Sequence, residues 1–117
     1  MGGLGASASR PLRGAALIFR RDRFGDLIRR QLDLFVEDEA ELLREAETAE
    51  RTYDDADRES AEEAYGDYQL VLEAIADALA ELRDTYAATL DGGTRDMYEQ
   101  AFDRAANRRF RTLAGGI

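Results

Sequence analysis

Residues 68–90 read YQLVLEAIADALAELRDTYAATL, and this stretch decides the fold. Within it Tyr68, Leu72, Ile75, Leu79, Leu82, Tyr86 and Leu90 recur at spacings of 4, 3, 4, 3, 4 and 4. Steps of three and four return side chains to one face of an α-helix, and a stripe this narrow is that of a helix–helix seam. Val71, Ala74, Ala76 and Ala78 add small or branched packing surface beside it. Asp91-Gly92-Gly93 then stops the helix, with glycine supplying a left-handed cap. The pattern predicts a helix over residues 60–90.

Upstream, Ile28, Leu32, Phe35, Leu42, Ala46, Ala49 and Tyr53 fall at spacings of 4, 3, 7, 4, 3 and 4. Glu39 occupies the missing position in the wide gap. Leu27, Leu34, Val36 and Leu43 broaden this stripe, so a helix over 22–52 should touch more than one neighbour. Between the two helices, Thr52-Tyr53-Asp54-Asp55-Ala56-Asp57 is rich in side chains that compete with helical backbone. Ser60-Ala61-Glu62-Glu63 reads as a capping box, Ser60 capping the Glu63 amide. Both signals place a turn at 52–61. The rival reading joins the stripes through Ala56, Ser60 and Ala64 as a stutter in one helix about 100 Å long. A turn instead gives two matched arms of about 40–45 Å each, which bury each other's stripe. Gly66 is a second candidate break.

Downstream, Thr94 is a good N-cap and Asp96 would sit in the first turn of a third helix over 94–110. Met97, Tyr98, Ala101, Phe102, Ala105 and Phe110 form its apolar face, and Arg104, Arg108, Arg109 and Arg111 crowd its C-terminal end, where the helix dipole favours cations. No strand pattern or internal repeat occurs. The expected fold is all-α: a long antiparallel helical hairpin with a shorter third C-terminal helix. Residues 1–14, with four Gly, two Ser and Pro11, read as a flexible arm, and 15–114 as a single helical domain. Two long arms with narrow seams bury little surface, so assembly as a dimeric helical bundle is expected.

Composition excludes several chemistries. The 117 residues contain no Cys and no His, so there is no thiol nucleophile, disulfide, zinc–thiolate site or imidazole base. All 16 basic residues are Arg, set against 25 Asp plus Glu, for a net charge of -9. The charge is segregated. Residues 1–35 carry seven Arg and three Asp; residues 36–103 carry 22 acids and five Arg; residues 104–117 carry four Arg and no acid. An acidic middle repels nucleic acid and anionic membrane. The longest apolar run near the start, Gly14–Phe19, is far short of a membrane span. A cytoplasmic location is the expectation.

Four constellations invite a functional reading. Glu39, which interrupts an apolar stripe, and Glu62, Glu63 and Asp67 are candidate oxygen ligands for a hard cation. With 25 acids in the chain such spacings also arise by chance, and no metal or other cofactor is expected. Paired carboxylates for acid–base catalysis have no distinguished pair, and no phosphate-binding loop or nucleophile elbow occurs, so an enzyme is not expected. The basic amphipathic segment 20–35 sets Phe24, Ile28, Leu32 and Phe35 beside Arg29 and Arg30, as suits a partner's groove or a membrane surface; the alternative is a first core helix. Tyr65-Gly66-Asp67-Tyr68 combines interface-prone aromatics with a glycine that permits close backbone approach. Tyr53 and Asp57 have the spacing of the Tyr-x-x-x-Asp/Glu export signal of type VII secretion substrates. They lie mid-chain, however, and that family's Trp-x-Gly turn has no counterpart, so no family is assigned. The sequence thus leads to a non-enzymatic interaction or scaffold protein acting through self-association and a protein partner.

Overall fold

The computed structural model describes residues 23–111. The arm over 1–14, the start of a helix at 22 and the domain end at 114 lie outside the described residues. Four helices follow in order: α1 (Gly25–Asp38), α2 (Ala40–Asp55), α3 (Ala61–Ala87) and α4 (Gly92–Arg109). No strand occurs among the described residues.

The helix expected over 22–52 is two helices, broken at Glu39. There the backbone turns to φ -107°, ψ 28°. Hydrogen bonds still run through the break, from the Glu39 N–H to the Phe35 carbonyl at 2.8 Å and from the Leu43 N–H to the Glu39 carbonyl at 2.9 Å. In a straight helix Glu39 would point into the seam as an unpaired carboxylate, which is costly to bury. The break leaves it half-buried, at the edge of a groove against Ala78, Glu81 and Leu82. Four helices therefore replace the three expected.

The chain reverses over residues 56–60 without the expected capping box. Ser60 makes no side-chain bond to the Glu63 amide. Instead Asp57 Oδ1 accepts both the Ser60 N–H (2.9 Å) and the Ser60 hydroxyl (2.8 Å). These bonds hold the Asp57 carboxyl below the usual carboxylate range. The acid-rich run thus supplies the turn's own anchor, one turn ahead of α3.

α3 ends at Ala87, three residues short of Leu90, and α4 begins two residues before Thr94. Gly92 has the left-handed φ of +45°, but it opens α4 rather than capping α3. The Asp91 carbonyl receives the N–H groups of Thr94 (3.0 Å) and Arg95 (3.1 Å), so Thr94 is inside the first turn and not its cap. Arg95 reaches back across the turn, its guanidinium donating to the carbonyl of Ala87, the last residue of α3 (3.1 Å), and to that of Leu90 beyond it (2.8 Å).

α1 and then α2 run back along α3, placing Tyr53 beside Tyr65 at one end and Gln31 beside Thr85 at the other. α4 lies parallel to α1, with Phe24 against Tyr98 and Phe35 against Phe110. α1, α4 and the C-terminal half of α3 therefore form a three-helix end. α4 stops level with Phe35, and α2 with the start of α3 continues beyond it as a two-helix arm. Tyr98 is the centre of the three-helix end. It is fully buried, it touches Phe24, Tyr86 and Phe102, and its hydroxyl donates to Gln31 Oε1 at 2.9 Å. In the arm, by contrast, only Ala46, Ala64 and Tyr68 are buried.

Burial pushes the Tyr98 phenol up to about 12. A phenol raised above its unfolded value near 10 lends stability that is complete below about pH 10 and lost as pH climbs through 12. An absorbance titration at tyrosinate wavelengths should show a late phase near pH 12, coincident with unfolding. Tyr98→Phe should remove that phase and, by orphaning the Gln31 carbonyl, lower stability by about 1–3 kcal/mol.

Candidate functional site

The feature with the most chemistry is a groove of about 470 Å³ between α1 and α4. Arg29 stands on the α1 side and Arg104, Arg108 and Arg109 on the α4 side, with the apolar Ile28, Leu32, Ala101 and Ala105 lining the space between them. The spacing explains it locally. Ala101, Ala105 and Arg108 share one face of α4, as do Ala101, Arg104 and Arg108, at steps of three and four. Packing α4 parallel to α1 brings these side chains opposite Arg29. Two of the four cations are compensated: Arg29 pairs with Asp26 at 2.9 Å, and Arg109 with Asp33 at 2.8 Å. Arg104 and Arg108 are exposed and have no ion-pair partner among the described residues. In a chain of net charge -9, a concentration of cations in one groove is the least expected feature of the surface.

Arg83 has a different role. It bridges Asp84 (2.8 Å) and Asp103 (2.9 Å), joining α3 to α4, and both carboxylates raise its affinity for the proton. It is a structural tie, as Arg95 is at the end of α3.

The residues singled out by sequence divide sharply. Phe24, Ile28, Leu32 and Phe35 are all buried in the chain's own core, and of the four Ile28 and Leu32 also line the groove between α1 and α4. The physical reason is α4, whose Tyr98, Phe102 and Phe110 cover the apolar face of α1. Arg29 stands on the groove wall, and the exposed Arg30 has no ion-pair partner among the described residues. Tyr68 is buried in the arm, with its hydroxyl 3.3 Å from Glu50 Oε2. Tyr65 is half exposed, its ring tilted against Tyr53 at 5.4 Å between centroids. Gly66 faces open space, with nothing within 4 Å of where a Cβ would stand.

The candidate metal ligands are not brought together. Glu62, Glu63 and Asp67 are exposed near the start of α3, whereas Glu39 lies well along the molecule beside Ala78. Among the described residues no group of three or more acids is arranged to hold a metal ion, and no helix is long and apolar enough to cross a membrane.

Sequence reasoning missed the groove. Arg104, Arg108 and Arg109 were explicable as complements of the helix dipole, and that is a sufficient reason for cations at a C-terminus. The missed signal was the Ala101/Ala105 pair one turn away on the same face, which makes a floor for the cations to flank. No family model matches the chain, and no curated protein or solved structure is similar to it.

If the groove arginines serve contact rather than folding, their removal should be harmless to the fold. Arg104→Ala with Arg108→Ala should leave urea-unfolding stability within about 0.5 kcal/mol, or raise it by relieving like-charge repulsion. Arg95→Ala should lower it by about 1 kcal/mol, because the Ala87 and Leu90 carbonyls lose the guanidinium that ties the turn to α4.

Proposed function

We propose that the chain is a non-enzymatic helical interaction protein that works by self-association and by holding a protein partner. The supporting observation is the mismatch in helix length. The 18 residues of α4 cover one half of a two-armed structure whose α1 and α2 together contain 30. The arm is left with a thin seam and with Tyr53, Tyr65 and Leu70 open to solvent. A two-helix arm that buries so few side chains gains stability when further helices cover it, and a second copy of the chain is always at hand to do so.

The absence of His and Cys from the sequence and the openness of the grooves also fit a binding surface better than a reaction chamber. The basic groove at one end and the acidic arm at the other give such a protein two chemically distinct contact surfaces.

Size-exclusion chromatography with light scattering tests the reading. The expected mass at micromolar concentration is a multiple of the 13.1 kDa chain, falling toward one chain on dilution. A strict monomer across that range would contradict self-association.

A further inference from the structure

On the reading that the chain self-associates, we infer that the Arg-lined groove between α1 and α4 is the seat for the outer ridge of α3 from a second copy. The ridge is written in the sequence at helical spacing: Glu63, Gly66, Leu70, Glu73 and Asp77 step by 3, 4, 3 and 4, and all five are exposed. Leu70 is the most exposed large apolar side chain of the described residues, at 65 %. Acids stand above and below it on the same face.

Charge complementarity selects this occupant. Residues 37–67 hold fourteen acids and three Arg, so the arm is the strongest negative feature of the molecule. The groove contains the cations Arg104 and Arg108, which no acid of the described residues pairs. Seating the ridge parallel to α4 with Leu70 over the Ala101/Ala105 pair brings Glu73 and Asp77, one and two turns further on, to those guanidiniums. Arg is suited to this work, since its planar fork meets carboxylates two bonds at a time.

Gly66 is the independent observation. A glycine inside a helix costs about 0.5–1 kcal/mol relative to alanine. Nothing in the chain comes within 4 Å of its missing side chain, so no internal contact requires it. A partner helix lying across the ridge does, because a bare backbone permits close approach beside Leu70. A polyanion such as nucleic acid is a poorer fit for the groove, since it would meet the net -9 of the whole chain.

The symmetry follows from position. The groove opens between α1 and α4, on the side away from α3, whereas the ridge looks outward from the other half of α3. One copy cannot present both to the same partner across a two-fold axis. The contact is head-to-tail, so copies add in a row rather than closing as a pair.

Sedimentation velocity on the full chain tests this contact. Arg104→Ala/Arg108→Ala disables the groove and Leu70→Arg disables the ridge; all three positions are exposed, and circular dichroism checks that each variant folds. The wild type should show a mean mass that rises with concentration and falls with added salt. Each variant alone should associate at least about tenfold more weakly. Their equimolar mixture should restore a single 1:1 complex that grows no further, because one intact groove meets one intact ridge. An oligomer unaffected by either variant, or a dimer of fixed mass at every concentration, overturns the groove–ridge contact and leaves self-association standing. A wild type that stays monomeric to about 100 µM overturns self-association itself, and this contact with it.

Discussion

Tyr98 is where three helices meet, and the rest of the structure depends on that meeting. Its ring is enclosed by Phe24 at the entry to α1, Tyr86 from α3 and Phe102 from its own helix, and its hydroxyl is satisfied by Gln31 of α1. A buried aromatic of this size contributes more than any surface ion pair here, and its polar tip demands one correct neighbour. That pairing fixes the rotation of α1 against α4. Once it is fixed, Phe35 meets Phe110 further along, Asp33 meets Arg109, and Arg29 is turned toward Arg104 and Arg108. The basic groove is thus a by-product of how the core closes.

The second consequence is geometric. α4 is short, and the core it closes ends with it. Beyond Phe35 and Phe110 the chain continues as two helices that bury only Ala46, Ala64 and Tyr68. The same charge segregation visible in the amino-acid order becomes a spatial one. Cations collect where α4 packs, and acids collect on the arm that α4 does not reach. A net charge read over the whole chain would have hidden both.

The stripe from Tyr68 to Leu90 was enough to predict α3, and the acid-rich run at 54–57 enough to predict a reversal, because both signals are local. The failures are equally physical. Glu39 was visible as an intruder in an apolar stripe, but the break it causes depends on α3 lying opposite. Ser60 and Glu63 have the spacing of a capping box, yet Asp57 takes the Ser60 N–H that the Glu63 carboxylate would accept and turns the Ser60 hydroxyl into a donor. Thr94 is a good cap in isolation, but Arg95 reaches back to α3 and draws the start of α4 earlier. Phe24, Ile28, Leu32 and Phe35 read equally well as core or as interface until the helix that covers them is known. The groove was hidden for the same reason, since nothing in the order of residues says that α1 and α4 lie side by side.

In the proposed assembly, a closed three-helix end and an under-covered acidic arm are the two complementary parts of one molecule. Amide hydrogen exchange at low and high protein concentration tests it most directly, since local opening reports how well each helix is covered. In dilute protein α2 and the first half of α3 should exchange fastest. At high concentration the Glu63–Asp77 ridge and the facing surfaces of α1 and α4 should gain protection together. Uniform protection along the chain, unchanged by concentration, would contradict it.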